Sequence, residues 1–404
     1  MSEPRLILYD DKLARNWLPF TLTRPAGELL FGAFALRKRA EHVFGIHCSG
    51  HVTDQALAGF TGPHSPPVIE LGSVDSTTPR FFLSSRAVPA FNATLPSSAT
   101  ALRIGDEVVG FYCPAGTANP TESQLLEGSA DQAHELPGKT LRQVWELMSR
   151  NSEQLGEDVH QLHRPQERWL PLPAGVIAIG QPRLVLNDGA LIEPGVVLDF
   201  RDGPIVLGPH AEVRAYTRLT GPALIGPRSI VFGGRFSGVS IGPYCKVHGE
   251  VEETVILGYS NKAHDGFLGH AYLGAWVNLG ALTTNSDLKN NYGAVRLWTP
   301  AGEVDTGQMK IGCFIGDHVQ TAIGTMINTG TVIGSGSNIF GGMPPKFVPP
   351  FSWGVELGDH EFEKFISTAR TAMQRRDVTL TDSQREMLQR AWQRGRALAA
   401  GRSL

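Results

Sequence analysis

Between Leu207 and Gly342 apolar residues return every six positions, a phase produced neither by a helix of about 3.6 residues per turn nor by a plain alternating strand. Leu207, Val213, Leu219, Ile225 and Val231 make one run, and Ile315, Thr321, Ile327, Ile333 and Ile339 make a second. Four places further on the residue is small or β-branched: Ala211, Thr217, Ala223 and Ser229, then Val319, Thr325, Thr331 and Ser337. Such a chain turns a corner after every short strand, so that three strands close one coil of a triangular prism. The large side chain fills the axis, and the small one fits beside it near a corner. Glycine often follows the large residue, as in Ile225-Gly226, Ile315-Gly316 and Ile333-Gly334, which suits tight backbone where a Cβ would clash. Each coil then buries its faces mainly on its neighbours.

Outside the repeat the pattern is mixed. Arg5 to Tyr9 reads as a buried strand ending at Asp10-Asp11, and Leu29 to Val43 as a helix with a basic end. Arg80 to Leu83 reads as a strand. Ala101 to Ile104 and Glu107 to Tyr112 read as a strand pair joined at Gly105-Asp106. Thr140 to Met148 has the spacing of an amphipathic helix, with Leu141, Val144, Trp145 and Met148 on one side, and residues 163 to 175 read as a linker. The coil is expected to start near residue 183, with interruptions at 200 to 203 and from Thr283 to Lys310. Beyond Pro350 the repeat stops, and Asp359 to Gln374 and Asp382 to Leu398 read as helices that cap the open coil. The expected division is 1–175 for an α/β domain, 183–345 for the coil and 346–404 for a helical tail.

Composition narrows the partners. The chain has 404 residues, 41% of them hydrophobic, and a net charge of −3, so no overall basic field points to nucleic acid or an anionic membrane. Small molecules are the expected partners. Cys48, Cys113, Cys245 and Cys313 lie far apart, which suits a reducing cytoplasm better than a disulfide framework. The opening MSEPRLILYDD lacks the basic lead and apolar core of a signal peptide, and no stretch has transmembrane length. A cytoplasmic location is expected. His42, His47, Cys48 and His51 are close in sequence but match no ligand spacing, so no metal site is assigned to them.

The segment SNKAHDGFLGHAYLGAWVNLGALTTN, residues 260 to 285, lies on coil just before the longer interruption. With the six-residue repeat, it resembles the left-handed parallel β-helix of hexapeptide acyltransferases. It is most similar to the acetyltransferase half of the bacterial bifunctional enzyme that acetylates glucosamine-1-phosphate and then uridylylates it. Lys262-Ala263-His264, Leu268-Gly269, Asn278-Leu279-Gly280-Ala281 and Asn285 follow the order of that family's motifs. The resemblance implies that His264 is the general base for acyl transfer from acetyl-CoA or another acyl-CoA to an amino sugar phosphate. It also implies that Lys262 and Lys289 meet phosphate, that Asn278 and Asn285 orient substrate, and that the protein is a homotrimer. The chain departs from the family at Phe267, where a sugar-contacting tyrosine is usual, and at His248, where an arginine is usual.

At the other end, LILYDDKLARNWLPFTLTRPAGEL resembles the opening of sugar-1-phosphate nucleotidyltransferases, with Pro19-Phe20-Thr21 and Pro25 in the places of that family's L-x-P-L-T-x-x-x-P-K. The family's glycine-rich phosphate loop is absent, and Asp10-Asp11 stands at the strand end. The resemblance implies a nucleotidyltransferase-like α/β domain using Mg and a nucleoside triphosphate, with Asp10, Asp11 and Arg24 as candidate nucleotide-site residues. Two alternatives stand beside the bifunctional reading: a nucleotidyltransferase whose coil is structural, and a non-catalytic sugar-nucleotide sensor or scaffold.

Overall fold

The computed structural model describes residues 3–130, 132–162 and 172–401. They form two compact units, one of Met1–Leu29, Phe34–Val144 and Thr381–Ala391, the other of Leu30–Ala33, Trp145–Leu380 and Trp392–Leu404.

The first unit is built on a mixed sheet of β1 (Arg5–Tyr9), β2 (Cys48–Val52), β3 (Arg80–Ser84), β4 (Thr100–Ile104), β5 (Glu107–Cys113) and β6 (Ala133–Glu135), in the order β2-β1-β3-β5-β4-β6. Alternation along β1 buries Leu6 and Leu8 with Phe81, Leu83 and Leu102 on one face, and Ile7 and Tyr9 with Phe82 and Phe111 on the other. β1 pairs in parallel with both β2 and β3. The chain therefore builds to one side of β1 and then crosses to the other, which leaves a crevice at the carboxyl ends of these strands. Three helices, α1 (Lys12–Arg15), α2 (Leu36–Phe44) and α3 (Glu122–Glu127), accompany the sheet.

Several elements differ from expectation. The helix read over Leu29 to Val43 begins only at Leu36, because Gly32 adopts a left-handed φ of 66° that interrupts the helical run. The strand pair joined at Gly105-Asp106 is present as β4 and β5. The helix read over Thr140 to Met148 forms only at its end: Gly138–Thr140 pairs with Ala87–Pro89, the Leu141 amide donates to the Arg86 carbonyl at 3.0 Å, and a turn follows. Helix starts only at Glu146, as α4 (Glu146–Ser149), followed by α5 (Asn151–Leu162). Residues 163–171 of the expected linker lie outside the described residues.

The second unit is a β-solenoid of about ten turns over residues 177–353, wider than the 183–345 that the repeat suggested. Every large residue of the two six-residue runs is buried in or against one continuous core, and so are the small ones four places on. The glycines that follow are required by close approach and not by a left-handed φ: a Cβ on Gly226 would meet the Gly242 carbonyl carbon of the next coil at 2.6 Å. Left-handed backbone instead occurs two places later, at non-glycine corners. Tyr244, Tyr259, Trp276 and His318 have φ of 57°, 55°, 65° and 59°, and their rings stack one above the next along that corner.

The segment Leu30–Ala33 belongs to this unit and is clasped by it. The Gly32 amide donates to Asn151 Oδ1 at 2.8 Å and the Ala33 amide to Asp158 Oδ2 at 2.9 Å. Tyr272 Oη donates to the Leu30 carbonyl at 3.0 Å. After the solenoid, α6 (Phe362–Gln374) sets Phe365 against Phe351 of the last coil, with ring centroids 5.0 Å apart. The final helix, α7 (Asp382–Ala399), contributes Trp392, whose Nε1 donates to the His360 carbonyl at 2.9 Å. All four cysteines are free and buried. Among the described residues no helix is long and apolar enough to cross a membrane.

Candidate functional site

In the first unit, chemistry gathers where β1, β2 and β3 end. The two neighbouring aspartates there have different surroundings. Asp11 caps α1 by accepting from the Ala14 amide at 2.9 Å, and it also accepts from Arg86 Nε at 2.8 and 2.9 Å and from Ser84 Oγ at 3.1 Å. Its carboxylate is therefore fully engaged in holding β3 to the start of α1. Asp10 accepts from Thr53 Oγ1 at 2.6 Å and from the Ala26 amide at 3.1 Å through Oδ2, while its buried Oδ1 has no partner. Asp10 lines a cavity of about 400 Å³ with Arg15, Thr53, Asp54, Glu70 and Glu122.

That cavity carries four carboxylates against one guanidinium, so bare phosphate would be repelled unless a cation came with it. Arg24 is not on its wall; its guanidinium lies 5.7 Å from the centre of the Phe60 ring. Sequence reasoning missed Thr53, Asp54, Glu70 and Glu122. The first two had a readable signal, since they directly follow a strand, but β2 was not recognised.

A buried network stands close by in the same unit. Glu28 accepts from Arg37 Nε at 2.5 Å and lies 2.9 Å from His51 Nε2. Burial pushes this carboxyl up, but the hydrogen bonds from His51 and Arg37 outweigh it and hold it down at about 2. His51 Nε2 is thereby occupied, while its buried Nδ1 has no partner among the described residues. Cys48 donates to the Gly50 carbonyl, His42 stacks on Phe34, and among the described residues no group of three His, Cys, Asp or Glu could hold a metal ion.

In the solenoid the structure brings Lys262 and His264 together and leaves the other candidates apart. Lys262 is buried and donates through Nζ to the His248 carbonyl at 2.8 Å and the His264 carbonyl at 3.2 Å. Burial pulls this amine down to about 8. His264 is exposed at its corner, and its imidazole has no hydrogen-bond partner among the described residues. Asn285 is buried and bonds both the amide and the carbonyl of Gly269, at 2.8 and 2.9 Å, which is a scaffold arrangement. Asn278 accepts from Asn261 Nδ2 at 2.9 Å on an outer face. Lys289 donates to the Ala294 carbonyl at 2.5 Å inside the long insertion.

A second histidine was not weighed as a catalytic group from the sequence. His270, at the next corner, places Nδ1 2.7 Å from Asp287 Oδ2, with both side chains largely buried. The hydrogen bond from His270 holds the Asp287 carboxyl below its usual range. This orients the ring and leaves Nε2 for other contacts.

Comparison with known proteins bears on the first unit most directly. Residues 6–167 match the family model described as "Sugar nucleotidyl transferase". The likeness to that family is confined to these residues, in the first part of the chain. A protein of Sulfurisphaera tokodaii described as a "Bifunctional sugar-1-phosphate nucleotidylyltransferase/acetyltransferase" is 33% identical over 93 residues, which is 23% of this chain and 23% of the relative. The match thus spans under a quarter of that protein's length. Within the matched region, α1 starts directly after Asp11.

Proposed function

We propose that the protein is a transferase of sugar-nucleotide metabolism, with acyl transfer from an acyl-CoA to an amino sugar phosphate at the solenoid and a sugar-nucleotide site in the first unit. The observation that carries the reading is the His264 corner. Lys262 pins its backbone from inside while the imidazole stands free in solvent, the combination of rigid support and available side chain that a general base needs. In the proposed reaction the sugar amine attacks the thioester carbonyl carbon, the C–N bond forms and the C–S bond breaks. The imidazole accepts the amine proton and passes it to the departing sulfur, which leaves as the coenzyme thiol.

The pairing of His270 with Asp287 favours a second reading of the base, in which a carboxylate-oriented imidazole does this work one corner further on. Initial rates with acetyl-CoA and a panel of amino sugar phosphates separate the two. His264→Ala lowers turnover by about 10²- to 10⁴-fold if it is the base, whereas a folded His264→Ala enzyme of normal rate, with a slow His270→Ala enzyme, assigns the role to His270. Normal rates in both variants would remove acyl transfer from these corners.

For the first unit, the open Oδ1 of Asp10 would give one ligand to a magnesium ion that arrives with a nucleoside triphosphate or sugar nucleotide, with phosphate and water supplying the rest. Such an ion would supply charge neutralisation for the phosphates. Asp11 and Arg24 take no part in this proposal. A homotrimer in the cytoplasm completes it, supported by the solenoid's flat faces and by exposed Leu282, Ile323 and Met326 on its surface.

A further inference from the structure

The stacked corner of the solenoid borders a second cavity, well separated in sequence from the nucleotidyl transferase domain. It measures about 420 Å³ and lies between the outer face of the coils and α6. Its charged residues are Lys246, Arg375 and Arg376, and among the described residues on its wall there is no carboxylate. Tyr259 and Trp276 form an aromatic part of the wall, with ring centroids 4.3 Å apart and planes 22° from parallel. Between the aromatic and cationic parts run the side-chain amides of Asn261 and Asn278, joined to each other at 2.9 Å.

We infer that this cavity binds a nucleotide, with its phosphates at Lys246, Arg375 and Arg376 and its base against the edges of the Tyr259 and Trp276 rings, whose faces are covered within the corner stack. Each part of the chemistry supports one part of the ligand. Three cations with no opposing carboxylate, in a chain of net charge −3, form a local field that attracts phosphate and little else. Aromatic rings beside them favour a flat, partly apolar body, and paired amides with neighbouring hydroxyls of Thr368 and Thr371 offer groups for ribose. The volume falls within the range usual for a small-molecule site. The two arginines follow the last turn of α6, where the helix dipole also welcomes them. That dipole gives no reason for Lys246, which comes from a coil strand, to face the same space.

Nucleoside phosphates have two plausible sources here, the adenosine bisphosphate end of a coenzyme A and a uridine nucleotide. Calorimetry on the full chain, without added metal, uses adenosine 3′,5′-bisphosphate, UDP, adenosine and inorganic phosphate as probes. One nucleotide should bind, more weakly at 300 mM salt than at 50 mM, and the one that binds identifies the source. The double variant R375A/R376A should weaken it by about tenfold or more, as loss of charge-assisted hydrogen bonds does, and Lys246→Gln should weaken it to a smaller extent. Thermal melts confirm that both variants remain folded, as expected for residues outside the core. Undiminished affinity in the folded double variant would overturn the inference, because the nucleotide would then be bound elsewhere. Binding of neither nucleotide, or phosphate binding as tightly as a nucleotide, would overturn it as well. The result does not depend on which histidine is the base, since no turnover is measured.

Discussion

The two cavities have almost the same volume, about 400 and 420 Å³, and opposite chemistry. The one at the strand ends of the first unit presents Asp10, Asp54, Glu70 and Glu122, and the one beside α6 presents Lys246, Arg375 and Arg376. Size therefore says nothing about which ligand each takes. Charge does: a phosphate can enter the acidic cavity only with a cation between it and the carboxylates, whereas the basic cavity meets it directly. Two buried groups differ in a similar way: Glu28 of the first unit is held as an anion by arginine and histidine partners, while the amine of Lys262 in the solenoid is received only by backbone carbonyls.

The largest expected effect is kinetic and belongs to the solenoid: the His264→Ala loss of about 10²- to 10⁴-fold in turnover, which should leave nucleotide binding at the basic cavity unchanged. A loss of both together would show that the cavity and the corner are one site. Next in size is the difference between the two aspartates. Asp11→Ala removes the α1 cap and one of the two carboxylates at the buried Arg86 guanidinium, which keeps Glu107 and the Leu141 carbonyl, and should cost roughly 2 to 3 kcal/mol in denaturant unfolding. Asp10→Asn keeps an acceptor for Thr53 and should cost about 1 kcal/mol or less, yet abolish any magnesium-dependent nucleotide binding. Equal costs would mean that Asp10 is as structural as Asp11.

Effects of a similar size come from pH, with the same sign in the two units but in different windows. Glu28 is held at about 2 against an ordinary value of 4.5. Between those values the unfolded chain binds the proton and the folded one does not, so its contribution is full above pH 4.5 and fades on acidification, a loss of roughly 3 kcal/mol. Glu28→Gln should flatten that slope. Lys262 sits at about 8 against an ordinary 10.5. From pH 8 to 10.5 the unfolded amine holds a proton that the folded one has released, so stability rises with pH across that window, by roughly 3 kcal/mol in total. Lys262→Met should remove the rise, and a slope that survives the substitution would place its origin elsewhere. The smallest effect is chelation: EDTA should weaken nucleotide binding at the acidic cavity and leave the basic one within about twofold.

Much of this architecture was legible beforehand because it depends on local spacing. The six-residue phase placed Leu207, Val213, Ile315 and Ile333 on the prism axis, and all are buried there. The apolar run ending at Asp10-Asp11 marked β1, and the turn residues Gly105-Asp106 marked the strand pair. Each feature follows from neighbours a few residues away, so the chain's pattern alone carries it.

The roles of the polar groups followed a different logic. Asp10 and Asp11 are adjacent and chemically identical, and only the arrival of Arg86 from 75 residues away makes one a structural anchor while the other keeps an open oxygen. Asn285 looked like a substrate ligand until Gly269 took its amide, and His270 gained a carboxylate only when the insertion brought Asp287 beside it. Gly32 likewise broke an apparent helix because Asn151 and Asp158 claim its amide and that of Ala33. Apolar burial is non-directional and can be read from periodicity. A hydrogen bond has direction and a limited number of partners, so which polar side chain stays free is decided only when distant segments have come together.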